Sequence, residues 1–251
     1  IGNDRQMKEW ITGRNPVMEV MQAKRRQVFR LLLASGVEEK GRIAEILRAA
    51  ASIKVPVERV ARERLEGLGE NPQGVAAEVG VYPYVELYDI YDLAKERNEA
   101  LFVLVLDVIQ NPQNLGTLLR TAEAVGVHGV INPQHRAAEV TPAVVSASAG
   151  ASEHLLITRS NIARSLEQLK EAGAWVVGLA EGEDAPAEVP LGGPIALVVG
   201  NEGEGMRALV RQQCDYILSL PMRGRIQSLN AAVAGSIVLY QVLLARQKTS
   251  R

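Results

Sequence analysis

The sequence predicts an α/β protein: a parallel sheet with helices on both faces, preceded by a smaller α/β unit. Runs such as FVLVLD and IALVVG show no polar alternation, as strands buried on both faces require. Segments of helical period follow these runs at short intervals, which argues for strands joined by crossover helices. Of the 251 residues 47% are hydrophobic, enough to fill a core, although aromatics make up only 4%.

The first unit is expected over residues 1–82. VFRLLLAS (28–35) reads as a strand with a β-branched start. KGRIAEILRAAAS (40–52) places Ile43, Ile46, Leu47 and Ala50 at helical spacing. VPVERV and GVAAEVGVY read as short strands. A polar stretch over 83–99, with the helix-like YDLAKERNEA at its end, reads as the linker. The second unit is expected over 100–251. ALFVLVLD (100–107) is a buried strand, LGTLLRTAEAVGV (115–127) a helix closing at Gly126, and GVI a short strand. A helix over 161–172 stops at Gly173, where a left-handed cap suits glycine. WVVGLA and IALVVG are two further strands. In the last helix, over 229–248, Leu229, Ala232, Val233, Ser236, Ile237, Tyr240, Leu243 and Leu244 recur as one apolar face.

Composition excludes several classes. No apolar run approaches the roughly 18 residues that span a bilayer, and the polar start IGNDRQMKEW does not read as a signal peptide, so none is expected in this segment. A single cysteine, Cys214, rules out an internal disulfide and a cysteine metal cluster, and makes a reducing cytoplasm the expected compartment. His128, His135 and His154 lack ligand spacing and read as surface or loop residues, so no metal is expected. The net charge of −1 hides an asymmetry. Residues 1–70 carry 14 lysines and arginines against 10 acids, a net of +4; residues 71–251 carry 14 against 19, a net of −5. The basic end suits a phosphate backbone, although a solvated face has the same composition.

Ligands of open parallel sheets bind beyond the carboxyl ends of the strands. One such loop is QNPQNLGTLLR (110–120), in which Asn114 could cap the following helix. Arg120 lies one helical turn beyond Gly116 and suits phosphate or carboxylate capture, or an ion pair on the outer face. A second is GNEGEGM (200–206). Its glycines allow close backbone approach, while Glu202 and Glu204 would repel a polyphosphate and suit a ligand bearing hydroxyls, amines or positive charge. LPMRGRIQSLNAAVAGS (220–236) is the third, with Arg223 and Arg225 around a glycine, Ser228 as a plausible cap, and Asn230, which a cap does not require.

Together and in order, N-x-x-N-L-G-x-x-x-R, G-N-E-G-E-G and P-M-x-G-x-x-x-S-L-N resemble the three motifs of the SpoU (TrmH-like) RNA ribose methyltransferases. GRNPVMEVMQ (13–22) and QGVAAEV (73–79) resemble the substrate-binding domain of the subgroup that methylates a guanosine of large-subunit (23S) ribosomal RNA, and SASAGA (146–151) resembles a further family segment. The resemblance implies a deep C-terminal trefoil knot, which composition would not suggest. It also implies S-adenosylmethionine as donor, structured RNA as substrate and a homodimer. Carried over residue by residue, Leu197, Val199, Gly200, Glu202, Leu220, Met222, Ser228, Leu229 and Ala232 would line the donor site. Asn114, Arg120, Glu202, Ser228 and Asn230 would place the RNA and carry catalysis. Asn111 stands where the family often has aspartate, Pro72 where it often has histidine, and Val145 or Ser146 where it often has lysine. These departures touch the RNA target rather than the reaction.

A ribose hydroxyl must lose its proton as it attacks the donor methyl, so the site needs a base or a group that stabilises an alkoxide. Arg120 is the candidate the resemblance implies, unusual because arginine normally stays protonated. Alternative readings are a tRNA ribose methyltransferase, a catalytically silent RNA-binding relative and, on an ordinary doubly wound sheet, a NAD-binding dehydrogenase, which the glycine spacing and acidic loop oppose.

Overall fold

The computed structural model describes residues 7–182, 189–201, 203–226 and 228–249. They group into two compact units, one within 1–83 and 139–154 and the other within 84–138 and 155–251.

In the first unit β1 (Lys8–Thr12), α1 (Arg14–Ala23), β2 (Val28–Ala34), α2 (Arg42–Ser52), β3 (Val57–Val60), α3 (Arg62–Glu66) and β4 (Val75–Gly80) follow in order. The sheet order is β1-β4-β2-β3; β4 runs antiparallel to both neighbours, and β2 pairs β3 in parallel. Helix α2 buries Ile43, Ile46 and Ala50, the face its spacing predicts.

The second unit opens with α4 (Leu87–Glu96), inside the stretch expected to be linker. Ile90 and Ala94 of α4 are buried with Val103 of β5 (Phe102–Asp107), so these residues belong to the core of this unit. Only a narrow stripe of α4 is apolar, which is why its sequence reads as polar. Next come α5 (Pro112–Ala124) and β6 (Gly129–Pro133). Residues 139–154, with α6 (Pro142–Ala147) and a 3-10 turn at Ala151–His154, cluster with the first unit instead. The chain then continues as β7 (Ile157–Ser160), α7 (Ile162–Glu171), β8 (Trp175–Leu179), β9 (Ile195–Gly200), α8 (Ala208–Gln212), β10 (Tyr216–Leu218) and α9 (Ala231–Thr249). The sheet is wholly parallel in the order β10-β8-β9-β5-β6-β7. Its central strands β5 and β9 are buried along their whole length, as their unbroken apolar runs require.

Besides the buried Val144 and Val145 of α6, a polar network joins 139–154 to the first unit. The buried Arg26 guanidinium donates to both Glu153 oxygens (2.9 and 2.8 Å), to Glu9 (2.7 Å) and to the Gly80 carbonyl (3.2 Å). Burial pushes the Glu153 carboxyl above its ordinary range while Arg26 pulls it down. The pairing therefore offsets only part of the cost of burying the charges. The Tyr82 hydroxyl donates to the Ser152 carbonyl at 3.0 Å beside this network.

Two expectations need correction. His128 lies in the loop between α5 and β6, but it is fully buried rather than at the surface: its Nδ1 accepts the Phe102 amide (3.0 Å) and its Nε2 faces Glu99 (2.9 Å), while burial lowers its pKa. The apolar face expected for α9 is not the one that packs inward. Gly235, Val238, Leu239 and Val242 face the core, whereas Val233, Ile237, Tyr240 and Leu244 are 40–55% exposed. Apolar residues surround this helix, so periodicity alone could not choose a side. Close approach to α5 chooses it: a Cβ on Gly235 would lie 2.7 Å from Leu118 Cδ2. The Thr121 and Ser236 hydroxyls also meet there at 2.9 Å. Among the described residues no helix is long and apolar enough to cross a membrane, and no cluster of three or more histidine, cysteine or acidic side chains could hold a metal.

Candidate active site

At the carboxyl edge of the parallel sheet lies a cavity of about 480 Å³. It is walled by the end of β8, the loop after β9, and the segment between β10 and α9. Strands in parallel register deliver these loops side by side: Leu179 lies opposite Val199, and Asp107 opposite Gly200. Its apolar wall includes Leu179, Val199, Met206, Leu220, Met222 and Leu229. The polar wall holds Glu181, Glu204 and Asn201, with Arg211 of α8.

The loop after β9 is folded tightly on itself. Asn201 and Gly205 exchange two backbone hydrogen bonds of 3.0 Å. The Asn201 side chain donates to the Val108 carbonyl (3.0 Å) and accepts the Gly203 amide (2.8 Å). A Cβ on Gly200 would lie 2.4 Å from both the Gly205 carbonyl carbon and the Met206 nitrogen, so only glycine fits under the returning chain.

Of the residues expected at the donor site, Val199, Gly200, Leu220, Met222, Ser228 and Leu229 line the cavity. Leu197 is sealed within β9, and Ala232 is buried in α9 next to the lining residue Ala231. Glu202 lies outside the described residues. The Asn230 side chain donates to Asn114 Oδ1 at 3.1 Å, joining the third loop to the first. Its own Oδ1 accepts the Ala232 and Val233 amides (2.9 and 3.2 Å), so Asn230 rather than Ser228 caps α9. The cap of α5 likewise falls to Asn111, which accepts the Gln113 amide at 2.8 Å; Asn114 already sits in the first helical turn, where it is free to meet Asn230. Arg120 is exposed, does not line the cavity, and among the described residues makes no hydrogen bond or ion pair.

Sequence reasoning missed Leu179, Ala180 and Glu181, although WVVGLA-E ends a strand and the strand-end rule applies there. It also missed Arg211, whose helix is too short to show a period, and an ion pair behind the loop. Asp107, with no solvent exposure, accepts the Arg207 amide and Nε at 2.7 Å each, and Arg207 Nη2 lies 2.6 Å away.

The first unit carries its own cavity, of about 560 Å³, lined by Arg14, Arg62, Asn71, Gln73, Ser35 and Gly36 among others, and by no carboxylate. Arg14 is held in place there, its amide donating to Gln73 Oε1 and its Nε to the Gln73 carbonyl, both at 3.2 Å.

The lining of the cavity in the second unit suits S-adenosylmethionine: apolar surface for an adenine, a glycine-rich backbone, carboxylates for cationic groups, and an arginine for a carboxylate. Comparisons agree. The profile of the SpoU rRNA Methylase family matches residues 101–240, and that of the RNA 2′-O ribose methyltransferase substrate binding domain matches residues 10–85. The chain is 40% identical over 245 residues to a putative TrmH family tRNA/rRNA methyltransferase, YacO, of Bacillus subtilis, covering 96% of this chain and 97% of that one. Its fold resembles the SpoU methyltransferase AviRb from Streptomyces viridochromogenes, solved with AdoMet (TM-score 0.79, 28% identity, 97% of this chain and 92% of that one). A TrmH/SpoU tRNA modifying enzyme of A. aeolicus matches less of it (TM-score 0.54, 26% identity, 65% of this chain and 87% of that one). The chain belongs to the SpoU (TrmH) family of S-adenosylmethionine-dependent RNA methyltransferases.

Proposed function

We propose that the chain methylates the ribose 2′-hydroxyl of a guanosine in large-subunit (23S) ribosomal RNA, acting as a cytoplasmic homodimer whose C-terminal part is knotted. The observation that carries this reading is the Asn114–Asn230 bond beside the acidic, glycine-rich cavity, because it gathers the RNA-facing positions of two loops at the rim of a donor-shaped space. The match of residues 10–85 to an RNA 2′-O ribose methyltransferase substrate binding domain supports RNA recognition by the first unit, and the resemblance of GRNPVMEVMQ and QGVAAEV to the ribosomal subgroup supports a ribosomal target. Mapping 2′-O-methyl positions in ribosomal and transfer RNA from cells with and without the gene tests it. Loss of one guanosine methylation in 23S RNA is expected; loss confined to a transfer RNA overturns the target.

When bound, S-adenosylmethionine supplies a methyl group activated by its sulfonium. Val199, Gly200, Leu220, Met222 and Leu229 hold the donor against the sheet edge, with Leu197 and Ala232 supporting them from behind and Glu202 in the same loop. Ser228 and Asn230 stand at the rim where the ribose arrives, and Asn114 fixes the Asn230 side chain. Alignment of the two reactants then provides much of the rate. Arg120 acts on the 2′-hydroxyl, either taking its proton as a neutral guanidine or, as a guanidinium, stabilising the developing alkoxide while the proton passes to water. It stands off the cavity wall of its own protomer, which fits a role toward a ribose at the cavity of a second copy.

The stripe Val233, Ile237, Tyr240 and Leu244 follows an i, i+4, i+7, i+11 spacing, a continuous exposed apolar seam of the kind that pairs two copies about a two-fold axis. Light scattering at micromolar concentration is expected to give a dimer mass, and Ile237→Glu a monomer with little activity. A monomeric parent would count against the assembly.

The arginine-lined cavity of the first unit supports a phosphate-binding role. Arg14→Ala with Arg62→Ala is expected to lower RNA affinity by about tenfold at physiological salt, and to shrink the log–log salt slope by roughly two. Donor affinity should stay at the parental value. Filter binding across a salt series reads both, and an unchanged slope would place the RNA elsewhere.

A further inference from the structure

Behind the donor cavity lies a contact that forms no part of its wall. Asp107 ends β5 opposite Gly200, with its carboxylate wholly buried. Among the described residues that carboxylate is partnered by Arg207 alone, through the amide, Nε and Nη2. A buried carboxylate without partners is costly, so its burial depends on where one residue a hundred positions away is held. Arg207 sits at a junction. Asn201, Glu204 and their neighbours Gly203, Gly205 and Met206, just before it, supply much of the cavity wall, and the helix immediately after it carries Arg211 into the same wall. Displacing the loop therefore means stripping the carboxylate and rehydrating it. The Arg207 side chain, 55% exposed, meets water on its other side, so the buried Asp107 carboxylate is the partner that depends on the contact.

We propose that the Asp107–Arg207 pair is a positioning latch: it fixes the loop between Gly200 and α8 in the geometry that receives the donor, and thereby sets donor affinity without touching donor or RNA. The proposal rests on the reading of this cavity as the donor site. A charge-assisted, two-pronged contact suits the task, since a guanidinium fixes direction as well as distance. A lysine at 207 would keep the charge and the backbone hydrogen bond but lose the fork.

The test uses the full chain and S-adenosylhomocysteine as the calorimetric probe, with the parent, Arg207→Ala, Arg207→Lys and Asp107→Asn. Arg207→Ala is expected to raise the probe Kd by roughly tenfold to a hundredfold, as a small misplacement of a binding loop does. The donor KM should rise in step, while kcat at saturating donor stays within about threefold of the parent, the pattern of lost binding rather than lost chemistry. Arg207→Lys, which keeps the charge and the backbone hydrogen bond but not the fork, should recover only part of the affinity, and RNA affinity should not move in any variant. Asp107→Asn, which keeps the side chain's size and an acceptor for the Arg207 amide, should shift the probe Kd in the same direction by less; it decides the matter if Arg207→Ala does not fold. A probe Kd within about twofold of the parent in both Arg207→Ala and Asp107→Asn overturns the latch. So does a fall in melting temperature and RNA affinity that parallels the Kd in every variant, because the pair would then merely hold the fold together. If the parent itself binds no S-adenosylhomocysteine, the cavity is not the donor site, and that reading fails along with the latch.

Discussion

Gly200→Ala is expected to remove measurable donor binding while the protein remains folded. The added methyl group would stand 2.4 Å from Gly205 C and Met206 N, both backbone atoms. Neither side can yield cheaply. Gly200 is paired with Asp107 along β5, and Gly205 is tied by two hydrogen bonds to Asn201. The loop must therefore lift off the strand end, carrying Asn201, Gly203, Glu204 and Met206 out of the cavity wall. Overpacking of this kind costs about 1–3 kcal/mol of stability. A binding site displaced by an ångström or more loses roughly a hundredfold or greater in affinity or rate. Gly193→Ala is the control: its Cβ would meet nothing within 4 Å, and Gly193 lies outside the cavity wall. Calorimetry with S-adenosylmethionine and urea unfolding read the two quantities separately. Parental donor affinity in Gly200→Ala would mean that this loop is not where the donor sits.

Strands β5 and β9 were legible because burial on both faces forces an unbroken apolar run, and the loops at their ends were legible because glycine, asparagine and acid clusters have few other uses there. Identities were clearer than partnerships. Asn114 and Asn230 stood out, but nothing along the chain says that they bond to each other, or that Asn111 and Asn230 take the caps. Those assignments depend on where each helix begins, the least certain reading of any sequence. Asp107 looked like the end of a strand; its partner, Arg207, is a hundred residues away. Residues 139–154 read as part of the second unit because they lie between its strands; contacts from distant positions, the buried Arg26–Glu153 pair among them, reveal their allegiance. For that reason point changes at Arg14 and Arg62 are a cleaner probe of RNA binding than a chain cut near Pro83, which would leave Glu153 without its arginine. On α9 the period was correct and the side was wrong, because apolar residues on two faces serve two purposes, one against Leu118 and one still facing solvent.

Arg120→Lys and Arg120→Ala are both expected to bind RNA and donor normally and to be nearly inactive, with single-turnover rates lower by about a hundredfold or more, the usual scale for losing a group that handles a proton or developing charge. The structure makes this a clean experiment. Arg120 is exposed and without a partner among the described residues, so changing it should alter stability by no more than about 0.5 kcal/mol, as for most surface substitutions. Two roles compete for it. As a phosphate clamp it would tolerate lysine, since an ammonium is still a point charge that phosphate accepts, and the cost would appear as weaker RNA binding. As a group acting on the 2′-hydroxyl in the transition state it would lose turnover at saturating RNA, with binding intact. Its place off the cavity wall adds a second reading of the same data. If Arg120 serves a ribose only across a two-fold interface, Ile237→Glu, which breaks the apolar seam of α9, should reproduce the kinetic defect of Arg120→Ala while leaving the donor cavity competent to bind. Near-parental single-turnover rates in Arg120→Lys at saturating RNA would make Arg120 a clamp. The proton would then have to leave by another route, first through Glu202 or a water held at the rim by Ser228 and Asn230.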